Sequence, residues 1–201
     1  MAKQIEEWRG IEGLVCAEVL EDSAEKYETG EVFDIAGVAE ISKTTESSNE
    51  AHYYDNVPAV MVGSSGSDEV TLTVSAVPLD VQAKITGQLY DETTGALIEG
   101  ERKTRYFAIG YKAKKTSGTY VYVWRYKGTF GIPDASHVTE DDGTDANGDE
   151  LTYTGISTTH VFAKTGARCR AINVDVAAEK ADVSTFFDTV TTPDTLQAVT
   201  Y

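Results

Sequence analysis

Strict alternation of apolar and polar positions marks the clearest elements of the chain. At 69–77, Val70, Leu72, Val74 and Ala76 fall on one face and Thr71, Thr73 and Ser75 on the other, which predicts a half-buried strand. The segment 105–114 puts Phe107, Ile109 and Tyr111 on one face. The segment 119–130 puts Tyr120, Tyr122, Trp124 and Tyr126 on one face and Val121, Val123, Arg125 and Lys127 on the other. The connector Lys115-Thr-Ser-Gly118 is short enough to join these two as a hairpin. A buried sheet face is the expected role of the aromatic row, with an exposed sugar- or base-stacking platform as the alternative.

Weaker signals fill in the rest. An apolar run at 13–20 reads as a strand, 21–30 as a charged turn region, and 31–42 as two apolar pieces split by Gly37. Residues 44–50 read as a polar loop. A strand at 53–62 is interrupted by Pro58, which implies an edge or a bulge. Gly63-Ser-Ser-Gly-Ser-Asp68 reads as a flexible loop. Pro78 opens the best helix, about 78–89, with Leu79, Val81, Ile85 and Leu89 as its apolar stripe. Residues 91–100 read as turns and 131–150 as a long acidic insertion. A second strand pair is expected at 151–163 and 167–176 around Lys164-Thr-Gly166, then a short helix at 177–190 and a flexible arm after Pro193. No fixed-period repeat is present. The expected organisation is an arm at 1–12, one β domain over 13–176 and a C-terminal segment over 177–201.

Length and composition sharpen this only moderately. A chain of 201 residues, 41% hydrophobic and 25% charged, suits a single β domain with a real core. Seventeen basic against thirty-three acidic residues give a net charge of −16. That argues against tight nucleic-acid binding through a basic footprint and against docking on an anionic membrane. The start of the chain carries no apolar stretch of a signal peptide, and no run reaches the length of a membrane span, so a cytoplasmic origin is expected. Cys16 and Cys169 fit no metal spacing and read as small apolar residues.

Candidate chemistry is sparse. Asp145-x-Asn147-x-Asp149 begins like a calcium loop, but Glu150 stands where Gly is needed and Ile156 where Glu is needed. His52, His137 and His160 form no zinc-binding pattern. Gly63-Ser64-Ser65-Gly66 lacks the second glycine of a nucleophile elbow, since residue 67 is Ser. Paired carboxylates for glycoside chemistry remain open among the many acids, which sit mostly in loops. The expectation is no enzyme, with no catalytic, cofactor-binding or metal residues. Charge is segregated: 102–127 holds eight basic residues and no acid, whereas 140–150 holds six acids and no base. Complementary patches of a head-to-tail assembling subunit, a basic hairpin that is merely solvated, and ion pairing within one molecule all fit this.

The order of segments is similar to that of bacteriophage major tail proteins, the tail tube proteins of the siphovirus type. The likeness rests on Gly13-Leu14, Glu21-Asp22, Gly37-Val-Ala-Glu-Ile-Ser42, Tyr53-Tyr-Asp-Asn56, Val77-Pro78, Val81-Gln-Ala-Lys-Ile-Thr-Gly87, Tyr106-Phe-Ala-Ile-Gly110 and Tyr122-Val-Trp-Arg-Tyr-Lys-Gly128. It runs from about residue 10 to about residue 190 and is carried by degenerate apolar and turn signals in a fixed order. The resemblance implies a mainly β fold, a β-sandwich or half-open barrel with one flanking helix, extended loops and terminal arms. It implies a structural virion protein whose hexameric rings stack into a hollow tube for viral DNA ejection. Loops 44–50 and 131–150, the N-terminal arm and the segment after Val176 are its candidates for ring contacts. It further implies self-association, a tape-measure protein, a tail terminator and tail-tip proteins as partners, and DNA passing without specific binding; the sequence shows no separate immunoglobulin-like decoration domain after the core, so a smooth tube is expected. The implied location is the virion tail, after synthesis in the host cytoplasm. The alternatives are a carbohydrate-binding or adhesion β module, and a tube protein of a contractile tail or secretion-system-like assembly.

Overall fold

The computed structural model describes residues 5–134 and 147–199. Ten strands and one helix follow in the order β1 (Trp8–Asp22), β2 (Tyr27–Asp34), β3 (Val38–Tyr54), β4 (Val57–Val74), α1 (Leu79–Thr86), β5 (Leu89–Asp91), β6 (Ala96–Ile98), β7 (Phe107–Lys115), β8 (Tyr120–Phe130), β9 (Asp149–Gly155) and β10 (Ala171–Asp175). The fold is mainly β with one helix, as expected. One antiparallel sheet runs β2-β1-β7-β8-β9-β4-β3 and does not close, so β2 and β3 are its edges. β8 forks the sheet: Val121–Arg125 pair with β10, whereas Gly128–Phe130 pair with β9. β5 and β6 form a separate small hairpin.

The sheet buries apolar side chains on both faces. On one face Leu14 and Cys16 of β1, Ile109 of β7, Val123 of β8 and Leu72 of β4 enclose a core that Ile85 of α1 helps to fill. On the other face Ala17, Ala108, Trp124 and Tyr126 lie beneath the segment after β9, which contributes Phe162, Phe186 and Val190. Alternation along β1, β7 and β8 therefore feeds two cores instead of one core and a wet face. Each large apolar side chain buried this way contributes about 1.5–3 kcal/mol.

The strong strand pair holds in register, with Tyr111 opposite Val123 and Lys114 opposite Tyr120. Other expectations change. The strand expected at 13–20 begins at Trp8, because Gly13, at φ 66°, is an extra residue bulged between the Glu12–Lys112 and Val15–Gly110 pairs. Residues 8–12, expected in an arm, are thus sheet. The helix spans eight residues and stops at Gly87, which takes the left-handed conformation; Leu79 and Leu89 are exposed, and Ala83 and Ile85 carry the buried face. Ala76 is exposed, since β4 ends at Val74 and Val77 turns inward instead. The expected 151–163/167–176 pair is a single bridge, Phe162–Ala167; β9 joins β4 and β8, and β10 joins β8. No α-helix forms at 177–190, where a 3-10 turn (Val176–Ala178) leads into further turns. The expected flexible arm after Pro193 instead bridges Ala198 to Ala181 and packs Leu196 on the second core.

Candidate assembly surface

The largest departure from expectation is an arm. Residues 44–50 and 63–68, both expected as loops, face each other in one ladder, with Ser48 opposite Ser64 and Glu50 opposite Val62. Tyr54 pairs with Val57 across Asp55 and Asn56, at φ 52° and 65°, the two-residue turn whose twist suits a hairpin. Pro58 and Val60 flank a register shift in the ladder, which fits the bulge expected at that proline. β9 supports β4 only over Asp68–Val74. Beyond that point the ribbon reaches roughly 30 Å outward on two strands. From Glu46 to Gly66 every residue except Ala51 is exposed.

Two-stranded ribbons with both faces in water are marginally stable. This one also carries Tyr53, Tyr54, Val57, Val60, Met61 and Val62, each about half to two-thirds exposed. An exposed apolar concentration of that kind marks an interaction surface. Unpaired backbone runs along the outer edge of β3 and along β4 before Asp68, templates for a further strand.

The root of the arm is held firmly. Asp68, 4% exposed, accepts from Arg125 Nη1 at 2.8 Å, from Arg170 Nη1 at 3.1 Å and from the Thr45 hydroxyl at 2.8 Å. Arg170 Nη2 also donates to the Ser65 hydroxyl at 3.0 Å. Burial alone would push the Asp68 carboxyl up. The hydrogen bonds from Thr45 and Arg170 and the charge of Arg125 outweigh it and hold the group below its usual range. These contacts join β3, β4, β8 and the approach to β10 at the point where the arm leaves the sheet.

Beside the root, an open cleft of about 590 Å³ lies between β3 and the β1–β7–β8 sheet. Ile41, Tyr111, Ala113, Val121 and Val123 give it an apolar floor, and Trp8, 65% exposed, stands at its rim. Lys43 and Arg125 line it as cations and Glu40 as an acid. Lys114, next to Ala113 on β7, projects from the opposite face of the sheet, its Nζ 5.4 Å from the Tyr120 ring centroid.

The structure also places the residues singled out from sequence. Trp124 and Tyr126 are fully buried, Trp124 Nε1 donating to the Phe186 carbonyl at 2.8 Å, so they form no exposed platform. Several of the eight basic residues pair within the chain: Arg105 with Glu18, Lys115 with Glu6 and Asp175, Arg125 with Asp68, and Lys127 with Asp22. Asp22 also accepts the Thr159 and His160 backbone N–H groups. Of the calcium-like residues, Asp145 lies outside the described residues, and the Asp149 carboxylate accepts the Val77 N–H at 2.7 Å. Most of the acidic stretch 140–150 and His137 also lie outside the described residues. His52 is exposed on the arm, and His160 stacks edge-on against Phe162. Ser64 and Ser65 sit on β4, bonded to Ser48 and Arg170.

No curated protein matches the chain. A family model described as phage tail tube protein matches residues 27–172, from the start of β2 into β10, and so takes in the arm, its root and most of the cleft.

Proposed function

The chain belongs to the phage tail tube protein family and is a structural subunit of a virion tail, and we propose that its copies close into hexameric rings that stack as the hollow conduit for viral DNA. The observation that carries this reading is the arm: an apolar, doubly exposed ribbon that one molecule alone leaves uncovered. Copies add strands to one another along the open edges of β2, β3 and the distal arm, and the backbone groups that invite uncontrolled aggregation become the closure of the ring. Two different patches meeting head to tail generate a closed ring or a continuing helix, the two geometries a tube combines.

The conduit acts by physical means. Duplex DNA is held by cations through counterion release and repelled by acids, so a subunit of net charge −16 suits a lining that lets it slide. Luminal positions carry more Asp and Glu than Lys and Arg in this reading. The tube is of the flexible, siphovirus type, measured by a tape-measure protein, closed by a tail terminator and started on tail-tip proteins, and its subunits are made in the host cytoplasm.

Electron microscopy of the purified protein over a range of concentrations tests the reading. Six-fold rings or hollow tubes are expected. Dispersed single copies throughout, or assemblies of another symmetry, contradict it, and a net-basic channel in reconstructed tubes contradicts the lining.

A further inference from the structure

We infer that the apolar tip of the arm docks into the cleft between β3 and the β1–β7–β8 sheet of a second copy of this chain. The inference rests on the tube reading and specifies one of its contacts.

Three observations converge. The tip presents apolar side chains on both faces of the ribbon: Tyr54, Val57 and Val60 on one, Tyr53, Pro58 and Met61 on the other. The cleft is apolar, open and of a size to take one such face, and Val121 and Ala113 on its floor are only partly covered. Charge adds to this at one point: from residue 44 to residue 67 the arm carries Glu46, Glu50 and Asp55 and no Lys or Arg, whereas Lys43 lines the cleft as a cation, beside Glu40 and an Arg125 already paired with Asp68.

The arm does not reach the cleft of its own molecule. Ile41 and Lys43, which line the cleft, belong to the arm's own root, and no residue from 44 to 67 of the arm lines it. Tip and cleft are different surfaces, so the contact is heterologous: each copy offers one tip and one cleft, and the contact propagates until a ring closes or a filament extends. Arg125 serves both ends of this device, since its guanidinium fixes the root of its own arm and forms part of the cleft that receives the next. Trp8 at the rim closes over the docked tip, an aromatic anchor of the kind that dominates interface energies.

Photocrosslinking reads the contact directly. A benzoylphenylalanine replaces Tyr54 in one preparation and Met61 in another, and isotopically heavy and light chains are mixed before assembly. The expected products join the tip of one copy to residues 8–11, 39–43 or 111–123 of another. Ala113→Glu, at the cleft floor, lowers their yield by about tenfold or more, while isolated Ala113→Glu chains keep the wild-type melting temperature. A mixture of Ala113→Glu with the tip variant Tyr54→Ser/Met61→Ser stops at pairs, because one good tip and one good cleft remain. Tubes whose crosslinks run only tip to tip or tip to β2, or tubes that form undiminished from both variants, overturn the docking and leave the tube assignment standing. Wild-type chains that stay single at every concentration overturn both.

Discussion

Arg125 and Asp68 meet as a buried ion pair, Nη1 to Oδ2 at 2.8 Å, where the β3–β4 arm leaves the sheet. Arg170 approaches the same carboxylate from the other side at 3.1 Å. One anion thus holds two cations and a threonine hydroxyl, and it comes from the strand that continues into the arm.

Removing that anion is costly. Asp68→Ala leaves the Arg125 guanidinium buried without its counter-charge, and Arg125 Nε already has no partner among the described residues. A loss of about 3–5 kcal/mol is expected, seen as a fall of roughly 10 °C or more in melting temperature. The double variant Asp68→Leu/Arg125→Met recovers the part due to the buried Arg125 charge, while Arg170 and the Thr45 hydroxyl still lose their acceptor. A double variant as unstable as Asp68→Ala would show that the charges themselves are required.

Acid exposes the same design. Burial pushes the Asp22 carboxyl up, but hydrogen bonds from Lys127 and the Thr159 and His160 N–H groups outweigh it, and like Asp68 it is held below the usual range. A folded value below the unfolded one, about 3.9, means that each carboxylate's contribution is complete above that pH. The contribution is lost as pH falls through the lowered folded value. Melting temperature is therefore expected to fall steeply below about pH 4, and less steeply in Asp22→Asn and Asp68→Asn, whose curves start lower.

Gly128 stands at the fork of β8, where Tyr153 crosses over it to donate to the Phe107 carbonyl at 2.8 Å. A Cβ there would lie 2.3 Å from the Tyr153 ring and 2.5 Å from the Thr154 carbonyl oxygen. Gly128→Ala is expected to destabilise by about 1–3 kcal/mol or more through displaced backbone. Urea unfolding monitored by tryptophan fluorescence measures this; an unchanged midpoint would mean the fork has slack.

Amide exchange distinguishes the arm from its root. In the unassembled protein, amides at 47–64 are expected to exchange far faster than those at 69–74, which β9 and the core protect. Assembly should slow the distal amides. Equal protection before and after would mean the ribbon is not what neighbours cover.

The two cysteines differ in the same graded way. Cys16 is fully buried and burial pushes its thiol well up, while Cys169 is partly exposed. One thiol per native chain is expected to react with an aromatic disulfide reagent, and both after unfolding.

The sequence was most legible where one face of a strand is buried and the other is not. Val70, Leu72 and Val74 alternate because β4 lies on the core there, and the β7–β8 hairpin announces itself for the same reason. The arm was illegible because neither of its faces is buried in one molecule. Nothing forces a period of two on Thr44–Ser48 or Gly63–Ser67, so strand residues carry loop composition. Its one local signature was Asp55-Asn56 between Tyr54 and Val57, a turn pair whose positive φ values neither residue resists strongly. The C-terminal segment misled in the opposite direction: Val183, Phe186, Phe187 and Val190 approximate a helical stripe, yet they are spaced to cover Trp124 and Tyr122 from irregular backbone. The cleft needed tertiary structure altogether, since its walls come from β1, β3, β7, β8 and β10.

β4 is one unbroken strand from the tip of the arm to the heart of the sheet. A pull on the tip therefore travels along β4 and meets the seven register pairs from Asp68–Gly155 to Val74–Asp149 lengthwise, as a shearing load. Bonds loaded in shear share the force and yield together, whereas bonds peeled from one end yield singly. The arm is thus built as a tensile member anchored in a shear joint, with the Asp68 cluster as the pin at the joint's mouth.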